Sequence, residues 1–289
     1  MPDLDQVTVV IPAKNEALGL GQLLPRLREL HPDLDILVVD DGSDDETCAT
    51  ALAHGARVVS HQYSMGNGAA IKTGVRQCDR KYLMFMDADF QHDPDDVAAV
   101  LERLDEGHDL VVGARDSSGQ ASVGRALANG FYNRLASWMV GHKVHDLTSG
   151  FRAVHRKRFA AFLHLLPNGF SYPATSTMAF FRAGHSVAYQ PIAAKRRRGG
   201  PSHIRPVHDG LRFALIIFRI GTLYSPLKLF IPVSLMFFFS GIGYYLYTFI
   251  VAHRFTNMSA LLLSTSVIIF LIGLVSEQIT SLIYRDTGH

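Results

Sequence analysis

Two carboxylates one residue apart, followed by an amide, stand in Asp87-Ala88-Asp89-Phe90-Gln91, directly after the apolar run Tyr82 to Met86. Aspartate is a poor strand residue, and two neighbouring acids repel unless a cation lies between them. Hard divalent ions such as Mg2+ or Mn2+ take oxygen ligands and keep positions open for substrate phosphates, so this spacing suits a metal shared with a diphosphate. A polar turn capping the next helix, with Pro94 at its start, would use the same residues. What separates the two readings is where the surrounding elements deliver the other chemistry-bearing groups.

From Val7 to about Ile192, short runs rich in Val, Ile and Leu alternate with amphipathic stretches of helical length. That alternation predicts an α/β domain with a mostly parallel sheet and flanking helices. Strands are expected at Val7 to Ile11, Ile36 to Asp40, Ala56 to Ser60, Tyr82 to Met86, Leu110 to Ala114 and Val187 to Ile192. Leu20, Leu23, Leu24, Leu27 and Leu30 share one face of a helix expected over Ala17 to Leu30, and Ser43-Asp44-Asp45-Glu46 reads as a capping box opening a second. Open sheets of this kind collect ligands beyond the carboxyl ends of their strands. Asp40, Asp41, Asp87, Asp89, Gly113 and Arg115 all fall at such ends, which favours a site over ordinary turns.

The chain has 289 residues and a formal net charge of +2, enough for one sizeable core and too little charge for a strong global attraction to nucleic acid. Cys48 and Cys78 lie in helical-looking segments without metal spacing and read as small buried hydrophobes in a reducing compartment. Met1-Pro2-Asp3 opens no basic and apolar leader, so the N-terminal domain is expected in the cytosol. Leu229 to Ala252 carries no charge and Ala260 to Tyr284 carries only Glu277, and each is long enough to cross a hydrocarbon core of ~30 Å. Lys195, Arg196, Arg197, Arg198, Arg205 and Arg212 precede the first span and Arg285 follows the second, which places both flanks in the cytosol. Glu277 either reaches the interface or pairs with a neighbouring subunit in a homo-oligomer. Val207 to Leu223 reads as an amphipathic helix in the membrane interface or packed on the sheet. The expected divisions are residues 1–202, a juxtamembrane helix over 203–226, and a two-helix anchor over 227–289.

Four strings stand in order: Val9-Val10-Ile11-Pro12-Ala13-Lys14-Asn15-Glu16, Val39-Asp40-Asp41-Gly42-Ser43, Gly66-Asn67-Gly68-Ala69-Ala70-Ile71-Lys72-Thr73-Gly74 and Asp87 to Gln91. With them the chain resembles family 2 glycosyltransferases of the GT-A fold. More narrowly it resembles the dolichol-phosphate mannose synthase and bacterial polyprenyl-phosphate glycosyltransferase group, through Asp89-Phe90-Gln91-His92 with Pro94, Gly113-Ala114-Arg115 and Asp146-Leu147-Thr148-Ser149-Gly150-Phe151-Arg152. The resemblance covers roughly Val7 to Ser202, and the trailing spans suit its membrane-anchored members.

The resemblance implies an integral protein, most simply of the bacterial inner membrane, that takes a nucleotide sugar and polyprenyl phosphate as partners and Mg2+ or Mn2+ as cofactor. Pro12, Glu16, Asp40, Asp41, Asp87 and Ala88 would hold the donor, and Asp87, Asp89 and Gln91 the metal. Pro12 could equally end its strand, and Asp41 could serve only to shape a turn. Gly66 and Gly68 would let backbone approach the diphosphate while Lys72 supplies charge. Arg115, Arg125 and Asn129 map to the acceptor phosphate; relatives place a small hydroxyl residue where Asn129 stands. Arg198 matches a mobile arginine closing over the diphosphate, with His203 where relatives carry lysine, and Arg196 and Arg197 read as solvated charges. Asp146 either orients acceptor or sugar or forms a turn before the sheet resumes.

The donor diphosphate leaves once its charge is offset, and a phosphomonoester acceptor with a second pKa of ~6 is already anionic, so direct displacement with inversion is expected. Specificity would lie in loops such as Leu165 to Thr177. A transferase acting on another lipid acceptor, or an inactive membrane scaffold, uses the same fold. Processive synthases are disfavoured, because Gln-x-x-Arg-Trp is missing and the one tryptophan is Trp138.

Overall fold

The computed structural model describes residues 3–115, 123–169, 171–192, 218 and 221–285, those at 123–129 and 284–285 by backbone alone. Its elements are β1 (Val7–Ala13), α1 (Ala17–Leu30), β2 (Asp35–Asp40), α2 (Thr47–Ala53), β3 (Arg57–Ser60), α3 (Asn67–Arg76), β4 (Tyr82–Phe85), α4 (Asp96–Asp105), β5 (Leu110–Arg115), α5 (Val123–Val140), β6 (Arg152–His155), α6 (Arg156–Ala161), α7 (Tyr172–Arg182), β7 (Val187–Ile192), α8 (Pro226–Ala252) and α9 (Asn257–Arg285). They form two compact units, Met1–Ile204 and Arg205–His289.

The first unit is built on a seven-stranded sheet in the order β3-β2-β1-β4-β6-β5-β7. β1 is parallel to β2 and β4, and β5 is parallel to β7. β6 alone is antiparallel, paired to β4 through Phe85↔Arg152 and to β5 through Val112↔Arg152. Val7 to Ile11, Ile36 to Val39 and Leu83 to Phe85 are buried, as continuous apolar strands covered on both faces should be. α1 buries Leu20, Leu23, Leu24 and Leu27, the stripe its 3.6-residue period aligns, against this sheet.

Two local features differ from expectation. The second helix starts at Thr47, not Ser43. Ser43 spends its hydroxyl on Asp40 and accepts the Asn15 N–H at 2.9 Å, so it ties two loops together instead of capping a helix. The short strand β6 is not among the expected strands, because four residues ending in Arg152 and His155 show neither an apolar run nor an alternation.

The second unit contains α8 and α9, 27 and 29 residues long, which at ~1.5 Å per residue exceed the ~30 Å of a bilayer core. Their most apolar windows are only 11% and 17% buried, so the apolar surface faces outward, unlike that of a core helix in a soluble protein. Ser234 and Ser266 donate reciprocally to each other's carbonyl at 2.9 and 3.0 Å. Gly273 makes room for Phe230 and Gly241 for Leu263. The Leu227 N–H donates to Glu277 Oε2 at 3.4 Å, so the acid of α9 meets a donor of the first turn of α8 within the same chain. Val207 to Leu223 lies largely outside the described residues.

Candidate active site

Strand order reverses around β1, whose neighbour β2 leads to one edge and whose neighbour β4 leads to the other. β4 pairs with β1 only from Val7↔Tyr82 to Val10↔Phe85, whereas β2 follows β1 as far as Ala13↔Asp40. Beyond Val10 the two central strands part, and Pro12, which lacks an N–H for a second ladder, falls where β1 is paired on one side. Pro12 therefore does not end the strand. A cleft of about 360 Å3 opens there, lined by Pro12, Ala13, Lys14, Glu16, Asp41, Ser64, Gly66, Asn67, Ala70, Asp87, Ala88 and Asp89.

Asp87 and Asp89 meet in this cleft, and their loop is over-determined by its neighbours. The Asp87 N–H donates to His92 Nδ1 at 3.4 Å, and the buried His92 ring packs on Phe151 at 5.0 Å. Asp89 accepts the Gln91 N–H at 3.1 Å across Phe90, whose φ of 57° is left-handed, a conformation bulky side chains rarely hold without support. A Cβ on Gly150 would fall 2.7 and 2.9 Å from the two Asp87 carboxylate oxygens, so that glycine leaves a cradle in front of the acid. A Cβ on Gly19 would fall 2.2 Å from the Ala88 carbonyl, which fixes α1 against the same loop. Among the described residues no three His, Cys, Asp or Glu side chains gather as a metal cage. Two carboxylates beside a cradle fit an ion such as Mg2+ that draws its remaining ligands from an amide, water and phosphate. Gln91 belongs to this loop but does not line the cleft.

Asp41 proves to be a hub. It accepts from His61 Nδ1 at 2.7 Å, Ser64 Oγ at 2.7 Å, and the Met65 and Gly66 N–H groups at 2.8 Å each. Burial alone would raise its pKa, but these donors hold the carboxyl below its ordinary value. Asp41 thus shapes the turn at 64–66, not the one before α2. Asp40 is 3% exposed, lies outside the cleft lining, and is engaged by the Ser43 N–H at 3.1 Å and the Cys48 thiol at 3.1 Å.

The glycine-rich segment packs against the chain's own backbone. A Cβ on Gly68 would fall 2.0 Å from the Pro167 carbonyl, and the Gly68 and Ala69 N–H groups donate to Gly169 and Asn168 at 3.2 and 2.8 Å. Lys72 Nζ donates to Asn168 Oδ1 at 2.7 Å. What these residues admit is the chain's own 167–169 backbone, which takes the Gly68 and Ala69 N–H groups in the first turn of α3. Burial, and then the nearby Arg76, lower the Lys72 pKa.

Arg115 and Asp146 form a second polar cluster, outside the cleft lining. Arg115 Nε and Nη2 donate to the two Asp146 oxygens at 2.8 and 3.1 Å, and Nη2 also donates to Thr148 Oγ1 at 2.7 Å. Asp146 further accepts the Thr148 and Ser149 N–H groups at 3.0 and 3.1 Å. Burial pushes its carboxyl up, but Arg115 more than offsets this and the pKa is lowered. Burial opposes the charge of Arg115 as well, yet Asp146 foremost, with Asp87 and Asp89 behind it, raises its pKa. Arg115 therefore lies within the electrostatic reach of both acids of the cleft. Arg152, which no sequence signal marks as structural, is fully buried, and Nη1 donates to the Pro173 carbonyl at 2.9 Å and to Ser176 Oγ at 2.7 Å, tying β6 to α7. Neither its burial nor its partners can be read from a four-residue strand.

Of the residues expected at the site, Pro12, Glu16, Asp41, Gly66, Asp87, Ala88 and Asp89 converge on one cleft, and Lys14, Ser64 and Asn67 join them. Lys14 stands in the string between Pro12 and Glu16, and its position just past the end of β1 is the signal the sequence offers. Asp40 and Lys72 lie outside the lining, while Arg115 and Asp146 pair with each other. Arg125 and Asn129 fall in α5 where only backbone is described, and Arg196, Arg197, Arg198 and His203 lie outside the described residues.

A crevice at the reversal point of a mostly parallel sheet, with paired acids at its mouth, is where open α/β enzymes bind their ligands. The family model described as "Glycosyl transferase family 2" matches residues 8–162, and the chain belongs to that family. A second model, "GtrB C-terminal hairpin", matches residues 225–282. The chain is 33% identical to polyprenol monophosphomannose synthase of Mycolicibacterium smegmatis, over 67% of this chain and 79% of the relative. It is 29% identical to dolichyl-phosphate hexose transferase of Haloferax volcanii, over 75% and 94% respectively. Among solved structures, glucosyl-3-phosphoglycerate synthase of Mycobacterium tuberculosis with Mg2+ and uridine diphosphate superposes with a TM-score of 0.59 at 25% identity, covering 74% of this chain and 79% of that one.

Proposed function

We propose that this chain moves a single sugar from a nucleotide-sugar donor to polyprenyl phosphate, with inversion and with Mg2+ or Mn2+, from the cytosolic side of a membrane crossed by α8 and α9. One observation carries the reading: Asp87 and Asp89 share a cleft with Pro12, Glu16 and Asp41 in a family 2 domain. The relatives named for polyprenol and dolichyl phosphate support the acceptor class, and the matched hairpin supports delivery of that acceptor from a bilayer. Residues 1–202 are the catalytic part in this reading, 203–226 a juxtamembrane helix and 227–289 the anchor. The basic residues before α8 and Arg285 at the end of α9 face the cytosol, against Arg254 alone in the short connection.

Pro12, Glu16, Asp41 and Ala88 hold the nucleotide, and Asp87, Asp89 and Gln91 hold the metal. When bound, that ion supplies positive charge to the diphosphate leaving group. Lys14 at the cleft, with Lys72 and Arg198, adds cationic charge where negative charge develops as the anomeric bond breaks. The acceptor phosphate is anionic at neutral pH, its second pKa being ~6, and so requires alignment more than a base. Arg115, with Arg125 and Asn129, provides that alignment, and Asp146 holds Arg115 in place. A phosphate oxygen attacks the anomeric carbon from the face opposite the departing diphosphate, which inverts the configuration.

Membranes carrying the protein are incubated with a panel of radiolabelled nucleotide sugars and a short polyprenyl phosphate. One labelled, inverted lipid product is expected, and Asp89→Ala should form none while remaining folded and inserted. Equal product from Asp89→Ala removes the metal assignment, and a retained configuration removes the single displacement.

A further inference from the structure

His61 bridges two elements that sequence order keeps apart. Its N–H donates to the Asp40 carbonyl at 2.8 Å just beyond β3, and its ring reaches between the end of β2 and the helix α3. Nδ1 lies 2.7 Å from Asp41 Oδ1 and Nε2 lies 2.9 Å from Thr73 Oγ1. The two side chains of the His61–Asp41 pair are 8% and 6% exposed. An ionised carboxylate only accepts, so the proton between them belongs to Nδ1, and in the neutral ring Nε2 accepts from the Thr73 hydroxyl. Asp41 uses its other lone pairs on Ser64, Met65 and Gly66. Ser64 and Gly66 then form cleft wall together with Asp41 itself.

We propose that His61 is a positioning residue for the nucleotide donor, with Thr73 anchoring its ring and Asp41 transmitting that anchor to the 64–66 wall of the cleft. The inference rests on the reading of this cleft as the donor site. A carboxylate that accepts four hydrogen bonds at the end of a strand needs its orientation set from outside its own loop, because Ser64, Met65 and Gly66 all belong to the segment it must hold. His61 is that outside contact: its backbone is fixed to β2 and its far nitrogen to α3. Loss of the Nδ1 bond lets the carboxylate turn within its pocket, and the wall turns with it. The acceptor side, built on Arg115 and Asp146, shares none of these bonds.

The test uses the full chain in lipid nanodiscs, titrated calorimetrically with UDP and with GDP, each with Mn2+, and assayed for donor and acceptor KM. Asparagine places its amide nitrogen near the position of Nδ1 and glutamine near that of Nε2, so His61→Asn keeps the donation to Asp41, whereas His61→Gln loses it and reaches only Thr73, whose hydroxyl then accepts. His61→Gln should weaken nucleotide binding and raise donor KM about tenfold, with acceptor KM unmoved. His61→Asn should recover most of that loss. Thr73→Val should cost about threefold, and Thr73→Ser should restore it, a comparison that decides the matter if His61→Gln fails to fold. Nucleotide affinity that is the same in His61→Gln and His61→Asn, or in Thr73→Val and Thr73→Ser, with only Tm altered, overturns the proposal and leaves the donor cleft standing. A wild type that binds neither nucleotide, or an Asp89→Ala variant that binds as well as wild type, overturns the cleft reading and the proposal with it.

Discussion

Arg115 and Asp146 form a two-pronged ion pair, Nε to Oδ2 at 2.8 Å and Nη2 to Oδ1 at 3.1 Å, joining the end of β5 to the loop before β6. The fork geometry fixes the guanidinium plane as well as its position. A carboxylate so occupied serves poorly as a proton acceptor and well as a holder of the arginine. Asp146→Ala should cost ~3 kcal/mol, the low end for a buried pair, because the Arg115 side chain is 30% exposed. Asp146→Asn should cost less, since its amide oxygen can still accept from Thr148 and Ser149. Urea unfolding of the detergent-solubilised protein measures both.

The same pair contributes to the acid limb of stability. Asp146 and Asp41 both have lowered pKa values in the folded chain. Groups of this kind stabilise in full above the unfolded carboxylate value of ~3.9, and the stabilisation is lost as pH falls through the folded value. Tm should therefore be level near neutrality and drop below about pH 4, with the drop shallower in Asp146→Asn. A Tm that falls equally in that variant speaks against the pair as its source.

Gly150→Ala aims a methyl at the Asp87 carboxylate, 2.7 and 2.9 Å from its oxygens. The acid must move or its cradle fills. Manganese affinity, followed by electron paramagnetic resonance, should fall at least tenfold, while Gly130→Ala in the exposed part of α5 should stabilise by ~0.5–1 kcal/mol and leave affinity unchanged.

Gly68→Ala meets backbone that cannot rotate away, the Pro167 carbonyl at 2.0 Å. Overpacking of this kind costs ~1–3 kcal/mol, and the loss should appear as a lowered Tm with faster hydrogen exchange in 66–72 and 165–169 together. Exchange that rises in only one segment would separate the glycine from the loop it admits.

In the hairpin, Ser234 and Ser266 donate to each other's carbonyls. A double-mutant cycle with alanine at both positions should give a coupling of ~0.6 kcal/mol, and at most ~1.7, by steric-trap or denaturant unfolding in micelles. Zero coupling would leave the packing of Phe230 on Gly273 and Leu263 on Gly241 as the source of helix pairing.

Several elements are legible in the order of residues alone. Helix α1 and strand β7 begin and end where the apolar pattern places them, and α8 and α9 declare themselves by long apolar runs with few charges. These are properties of consecutive residues, since a strand that is buried on both faces, a one-sided helix and a lipid-facing helix each demand their own local spacing of apolar side chains. The paired acids of the cleft are legible for the same reason, being neighbours in the chain at the exit of β4.

Partners are not. Ser43 has the pattern of a helix cap and instead bonds Asn15 and Asp40; Gly66 and Gly68 have the pattern of a phosphate cradle, and the backbone they admit within the chain, at 167–169, is nowhere in that pattern. Asp146 suits a substrate or a turn equally well until β6, inserted between β4 and β5, sets Arg115 beside it. His61 carries no motif at all, yet it joins Asp41 to Thr73. By itself the chain determined helix α1, the parallel strands, the two long apolar helices, and the pair of acids at one strand end. Only the tertiary structure decided which of those polar groups spend their hydrogen bonds on one another, because that depends on strand order and crossing loops, and a buried donor or acceptor must take whichever partner the packing brings within ~3 Å.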